Sequence, residues 1–193
     1  MASDGHKLVR NKIYTVKSEV PTSFILPKKP ANLLKNILEK DDSDVIIRFD
    51  ERNAEIVFGD HKLLCRLIEG RYPNYNSVIP QNNPNELNID RRILIGALRR
   101  VLPFASDSSL LVRLHLEPGK MEISSEDIDF ATSAKEEIAC DYSGNTMNIG
   151  FKGPSLVEIL NNLSSDQVGL LLADPSRPCP IVPAEQRQGT YLL

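Results

Sequence analysis

Three stretches of the chain place apolar residues at helical intervals on one side only. In Pro30 to Lys40 (PANLLKNILEK), Leu33, Leu34, Ile37 and Leu38 fall at i, i+1, i+4 and i+5. Asp90 to Leu102 (DRRILIGALRRVL) repeats the spacing with Ile93, Leu94, Ala97, Leu98 and Val101, and Asp90 stands where an N-cap is needed. Pro154 to Leu163 (PSLVEILNNL) turns Leu156, Val157, Leu160 and Leu163 inward, with Pro154 suited to a first helical turn. Each stretch predicts a helix that covers something with one face.

Between the helices the period changes from helical to alternating. DVIIRFD, AEIVFGD and KLLCRLIEG follow the first, LLVRLHLEPGKMEISSED, FATSAKEEIACDY and NTMNIGFKG the second, and QVGLLLADP and PIVPAEQ the third. Val, Ile, Leu and Phe alternate with charged residues, which predicts half-buried strands, and EPGK and DYSGN have hairpin-turn composition. One helix followed by two or three strands recurs about every 60 residues, so the chain reads as repeated units of one architecture. The class is α+β, with helices on one face of antiparallel sheets. Residues 71–87 (RYPNYNSVIPQNNPNEL), rich in Asn and Pro and without helical period, mark a boundary. Residues 1–79 then hold one unit and residues 80–193 hold two, so the first domain is half the size its own repeat requires.

Composition adds little until charge is located. With 193 residues, 41% hydrophobic and 25% charged, the chain is an ordinary globular sequence. It has no apolar run of membrane-spanning length and opens without the apolar region of a secretory signal, so a cytoplasmic location without membrane association is expected. Cys65, Cys140 and Cys179 are scattered, with neither disulfide nor zinc spacing, and read as buried or idle thiols. The net charge of −3 argues against a nucleic-acid partner. Its distribution argues the reverse. Residues 28–40 carry Lys28, Lys29, Lys35 and Lys40 against Glu39, and residues 90–101 carry Arg91, Arg92, Arg99 and Arg100 against Asp90. Each segment is +3, leaving −9 for everything else. Arg92, Arg99 and Arg100 project opposite the apolar side of their helix. Two basic helices in equivalent places of repeated units suit sequence-independent contact with phosphates.

Catalytic chemistry finds no foothold. His6, His61 and His115 are isolated from one another in sequence, and Asp41, Asp42 and Asp44 form an acidic turn lacking the glycine and closing Glu of a calcium loop. No metal, cofactor or catalytic residue is expected.

Three motifs carry a resemblance. DGHKL at 4–8, RLIEGRYPNYNSVIP at 66–80 and YSGNTMNIGFKGPSLVEILNNL at 142–163 resemble, in order and spacing, the bacterial DNA sliding clamps, the beta subunits of DNA polymerase III. The resemblance spans nearly the whole chain and implies the DNA-clamp fold. It places the chain at the second half of the middle domain and most of the C-terminal domain of a three-domain protomer, a fragment. It implies a noncatalytic processivity factor of replication whose partners are duplex DNA, bound without regard to sequence, the replicative polymerase and the clamp loader. The complete protein would form a homodimeric ring with sheets outside and helices around the DNA.

Residue by residue, Lys28 and Lys29 match basic positions facing the hole, alongside Lys35, Lys40, Arg92, Arg99 and Arg100. Ser3, Gly5, His6, Lys7, Leu8, Pro73 and Val78 match the pocket that takes short linear motifs of replication proteins, with Lys7 where Arg is common. Pro103 and Phe104 match an apolar pair at the protomer interface. The closing PAEQRQGTYLL differs from the family's final strand and Met-Pro-Met-like tail, and Pro175, Pro178, Pro180 and Pro183 crowd its approach, so that strand is expected to be altered or truncated. A stand-alone peptide-binding module unable to encircle DNA is the alternative reading.

Overall fold

The computed structural model describes residues 1–38, 43–184 and 189–192. In chain order the elements are β1 (Ala2–Ser3), β2 (Leu8–Asn11), α1 (Lys28–Leu38), β3 (Ile46–Phe49), β4 (Asn53–Phe58), β5 (His61–Arg66), β6 (Asn85–Asp90), α2 (Arg91–Val101), β7 (Leu111–Glu117), β8 (Lys120–Asp127), β9 (Thr132–Ala139), β10 (Asp141–Tyr142), β11 (Met147–Lys152), α3 (Gly153–Asn161), β12 (Gln167–Leu172), β13 (Pro180–Pro183) and β14 (Gly189–Leu192). The α+β reading holds, and the strand-rich segments form strands at the places the alternation marks.

The chain divides into two units, Val16–Asn74 and a larger one that joins Met1–Thr15 to Tyr75–Leu193. This division differs from a cut after residue 79. The first fifteen residues fold with the C-terminal part, because β2 pairs antiparallel with β14, Leu8 opposite Leu192 and Asn11 opposite Gly189.

In the larger unit, seven strands lie in the order β1-β2-β14-β13-β12-β6-β10 and four in the order β11-β7-β8-β9. Val112, Leu114 and Leu116 of β7, Met121 and Ile123 of β8, Leu87 and Ile89 of β6 and Val168, Leu170 and Leu172 of β12 are buried in one core with α2 and α3. Helix α2 begins as the sequence requires. Asp90 is extended and its carboxylate accepts from the backbone N–H of Arg92 (2.8 Å) and Ile93 (3.0 Å). Its buried side is Leu94, Ile95, Ala97, Leu98 and Val101, whereas Ile93 is 52% exposed. The face is thus rotated from the expected one, Ile95 replacing Ile93. Each fully buried leucine here contributes about 1.5–3 kcal/mol. In α3, Leu156, Ile159 and Leu160 are buried and Val157 is only half-buried.

Two turn readings part ways. Glu117-Pro118-Gly119-Lys120 is the β7–β8 hairpin, with Glu117 opposite Lys120 and Gly119 at φ +82. DYSGN is no hairpin: β10 pairs with β6 and β11 with β7, so the segment carries the chain from one sheet to the other. The Tyr142 hydroxyl fixes it by donating to the carbonyl of Asn145 at 2.6 Å, and a Cβ on Gly144 would lie 2.7 Å from that hydroxyl. The closing segment does form a strand, β14, beside β13. Pro180 and Pro183 sit at the two ends of β13, leaving Ile181 and Val182 to donate.

The smaller unit is a three-stranded antiparallel sheet, β3-β4-β5, with helix α1. Asp50 tightens the β3–β4 reversal by accepting from the N–H of Arg52 (2.7 Å) and Asn53 (2.6 Å). Ala54, Ile56 and Phe58 of β4 and Leu67 are buried. No residue of α1 is, and Ile46, Ile47 and Phe49 of β3 are 41–49% exposed. The expected apolar face of α1 therefore exists as a pattern but lacks full cover. No helix among the described residues is long and apolar enough to cross a membrane.

Candidate functional site

The first candidate region is the turn between β1 and β2. Asp4 accepts backbone N–H bonds from His6 (3.0 Å) and Lys7 (2.9 Å), while Ser3 Oγ accepts from Gly5 N–H (3.2 Å) and donates to the Lys7 carbonyl (3.0 Å). Gly5 at φ +88 makes the reversal possible. Lys7 Nζ bridges Asp4 (2.9 Å) and Glu158 of α3 (3.2 Å). The Lys7 ammonium, then the backbone N–H groups of Lys7 and His6, hold the Asp4 carboxyl far below its usual range. Asp4 first and Glu158 second push Lys7 up. Leu8 is buried against Ile79, with Tyr75 packed beside them. Val78 is 51% exposed. Pro73 is exposed and belongs to the smaller unit.

Asp4, His6 and Lys7 border an open groove of about 560 Å³ whose other walls include Phe151, Ser155, Pro175 and Arg177. Sequence reasoning gave these four no role. Phe151 and Ser155 lie within the third motif, so a signal was present, whereas Pro175 read as an obstruction. Ser3, Gly5 and Leu8 build and anchor the turn rather than line the groove.

The second region is the polar side of α2. Arg92 and Asp166 are 3.1 Å apart, and Arg100 makes a two-pronged pair with Glu136 of β9 at 2.8 and 2.6 Å. Glu136 raises the Arg100 guanidinium and is itself lowered by it. Among the described residues Arg99, also exposed, makes no ion pair. Arg91 differs from the other three. Half-buried, it donates through Nε to Ser165 O (2.8 Å) and through Nη1 to Leu160 O (3.2 Å), closing the C-terminal end of α3. On α1, Lys28, Lys29 and Lys35 are exposed, the first two in the opening turn, where the helix dipole disfavours cations. Lys40 lies outside the described residues.

The third region follows α2. Pro103 and Phe104 are exposed in a short 3-10 turn, Leu102–Phe104, closed by Ala105 N–H donating to Leu102 O at 3.0 Å. That turn packs near β8 and β9. β9 is the end strand of its sheet, and the β8–β9 hairpin exposes Ile128 (84%) and Phe130 (77%) at its tip. Sequence reasoning passed over both, because an edge strand and an interior strand share one alternating pattern.

No cluster of three or more His, Cys, Asp or Glu placed to hold a metal occurs among the described residues. Asp41 and Asp42 lie outside them, and Asp44 is exposed. His115 meets Asn148 (2.8 Å) and Glu117 (3.3 Å), which raise its pKa in that order. His61 stacks obliquely on Phe58 with ring centroids 5.4 Å apart.

The whole chain is similar to known proteins. The profile "DNA polymerase III beta subunit, central domain" matches residues 1–74, and "DNA polymerase III beta subunit, C-terminal domain" matches residues 76–193. The beta sliding clamp of Caulobacter vibrioides is 27% identical over 194 residues, covering 100% of this chain and 52% of that protein. That of Escherichia coli K12 is 26% identical over 193 residues with the same coverage. The crystal structure of the DNA polymerase III subunit beta of Pseudomonas aeruginosa superposes with a TM-score of 0.94 at 24% identity, and that of the Bartonella birtlesii sliding clamp bound to griselimycin with 0.90 at 29%. Both cover 100% of this chain and 52% of the solved one. The chain thus spans about half the length of the curated relatives it matches.

Proposed function

The chain belongs to the DNA polymerase III beta subunit family, and on that premise we propose that it serves as part of a DNA sliding clamp, a noncatalytic factor that tethers a replicative polymerase to duplex DNA in the cytoplasm. Helix α2 carries the reading. Its apolar side is fixed in the core while Arg92, Arg99 and Arg100 remain exposed. A tether that slides needs phosphate contacts without base readout, since tight sequence contacts act as a brake. Asp166 and Glu136 beside Arg92 and Arg100 suit that demand, offering each guanidinium an alternative partner when a phosphate leaves. On the smaller unit Lys28, Lys29 and Lys35 are further exposed cations for phosphate contact, and Lys40 takes the same role on the sequence pattern alone. The 3–8 turn, Val78 and the groove, all in the larger unit, receive short linear motifs of the polymerase and clamp loader, Phe151 and Pro175 offering apolar walls. Pro103, Phe104 and the β9 edge form the protomer contact of a homodimeric ring.

Fluorescence anisotropy with duplexes of unrelated sequence tests this. Equal affinities that fall with salt are expected, and Arg99→Ala should reduce the log–log salt slope by about 1. Absence of binding at low salt, or discrimination among sequences, would refute the reading. The groove lies wholly within the larger unit, which favours a second reading, a peptide-binding module that does not embrace DNA; peptide binding without DNA binding would select it.

A further inference from the structure

The two repeats of the larger unit complete each other by exchanging strands. Helix α2 is preceded by β6 and followed by β7, and helix α3 is preceded by β11 and followed by β12. Strand β11 pairs with β7 and β6 with β12, so the strand leading into each helix lies beside the strand that follows the other, and α2 packs on α3. Both ladders share one register. The residue before the helix faces the first residue of the partner strand, Lys152 opposite Leu111 and Asp90 opposite Gln167. One step further in the pair is buried, Phe151 with Val112 and Ile89 with Val168.

The smaller unit holds a single repeat, and both sides of this exchange stand open. Strand β3 ends its sheet, and residues 24–27, which lead into α1, belong to no ladder among the described residues. The two cannot serve each other, since within a repeat β6 does not pair with β7, nor β11 with β12. Transferred to α1, the common register sets Pro27 opposite Ile46, Leu26 opposite Ile47, Ile25 opposite Arg48 and Phe24 opposite Phe49. Both inner pairs are then apolar, for Ile47 and Phe49 lie on the side of β3 that faces buried Ile56 and Ala54 of β4. Pro27 falls where Lys152 and Asp90 do. The bonds there run from Gly153 N–H to Leu110 O (2.9 Å) and from Arg91 N–H to Asp166 O (2.8 Å), so the ladder asks nothing of the N–H that proline lacks. Phe24 already packs on Phe49 of its own chain with centroids 4.6 Å apart, and a reciprocal pair gathers four rings.

Phe24, Leu33, Val45, Ile46, Ile47 and Phe49 leave on the order of 500 Å² of apolar surface open, the size of patch that commonly marks an interaction site. Adding the ladder backbone and α1 brings each partner toward the about 800 Å² of a specific interface. We propose that two copies of this chain pair their smaller units about a two-fold axis, residues 24–27 of each beside β3 of the other and α1 beside α1. The exchange made inside the larger unit is thus made between molecules, and being isologous it closes at two. It uses residues of the smaller unit alone, none of Pro103, Phe104 or β9, and neither DNA nor a peptide takes part, so its failure is distinguishable from failure of the clamp reading.

Sedimentation velocity of the full chain across a concentration series should show a monomer–dimer equilibrium. Salt should strengthen it, because the contact is apolar and both α1 helices are basic. Ile47→Asp puts a charge into each inner ladder and should weaken association at least about tenfold, whereas Ile47→Leu should stay within about twofold. Residues 25 and 48 face each other as a non-hydrogen-bonded pair, close enough for a disulfide. With Cys65 and Cys140 replaced by Ser, Ile25→Cys and Arg48→Cys chains mixed and oxidised should give a cross-linked dimer that neither gives alone. That cross-link leaves Ile47 in place, so it decides the matter even where Ile47→Asp fails to fold. A monomer at every concentration would overturn the proposal and assign the face to another occupant, such as a preceding segment of a longer chain. Association weakened by salt, or no cross-link specific to the mixture, would overturn it as well.

Discussion

Replacing Arg91 by Met should unfold the larger unit more easily while leaving DNA contact intact, and replacing Arg99 by Met should do the opposite. The two residues share a helix and a side-chain type. They differ in what they touch. Arg91 donates to Ser165 O at 2.8 Å, in the segment after α3, and to Leu160 O at 3.2 Å, in the last turn of that helix. Hydrogen bonds involving a charged group contribute about 1.5–3 kcal/mol each. Arg91 is half-buried, so water re-solvates part of what is lost and the lower figure applies. Two bonds then give about 3 kcal/mol, and Met keeps the packing of the aliphatic stem. For a unit of this size the loss lowers the melting temperature by roughly 10 °C. Arg91→Lys keeps the charge near the helix end but cannot span both carbonyls, and should lose about half as much. Thermal unfolding by circular dichroism, with the DNA salt series on the same samples, separates the roles. A loss under about 0.5 kcal/mol for Arg91→Met, the range of neutral surface changes, would refute the assignment of Arg91 to the fold.

Three further outcomes follow from single environments. Because the Asp4 carboxyl is lowered by Lys7 and by two backbone donors, the folded turn stays ionised where the unfolded chain takes up a proton. Its contribution is therefore complete above the ordinary carboxylate range and is lost as pH falls through the lowered value; carbon-detected NMR titration showing an ordinary Asp4 midpoint would contradict it. Burial pushes the Cys179 thiol up to about 12. Under native conditions at pH 8 a thiol reagent should modify half-buried Cys65 and Cys140 well before Cys179, and equal rates would be the contrary result. Gly144→Ala drives a methyl to within 2.7 Å of the Tyr142 hydroxyl and should cost about 1–3 kcal/mol in urea unfolding; an unchanged midpoint would show that the crossover relaxes freely.

How far the sequence foretold the structure depends on the range of the forces involved. Asp90 as N-cap and the Pro118-Gly119 hairpin were legible because each is settled by neighbours a few residues away. Ile93 and Ile95 were exchanged because the helical period alone leaves the width of the buried side open, and α3 decides it by packing on α2. Strands β1, β2 and β10 are too short or too polar to show alternation; β2 and β10 exist because a partner far along the chain supplies the ladder, and β1 pairs with β2 across a local turn. The site followed the same rule. Gly5 and Asp4 announce their turn locally, whereas the groove of Phe151, Pro175 and Arg177 is assembled from three separate segments. Arg91 and Arg100 look alike in sequence, and only the carbonyls of Leu160 and Ser165 and the carboxylate of Glu136 tell them apart.

The pairing of Leu8–Asn11 with Gly189–Leu192 bears on how the protein comes into being. Leu8–Asn11 must wait for a partner made much later, and Val16–Asn74 emerges from the ribosome between them. Closing so long a loop is only modestly harder than closing half of it, about 0.6 kcal/mol per doubling, so the delay matters more in time than in energy. Until β14 appears, β2 is an uncommitted strand beside a nascent sheet. Synthesis rate and chaperone occupancy during that interval, rather than final stability, should govern the yield of correctly woven molecules.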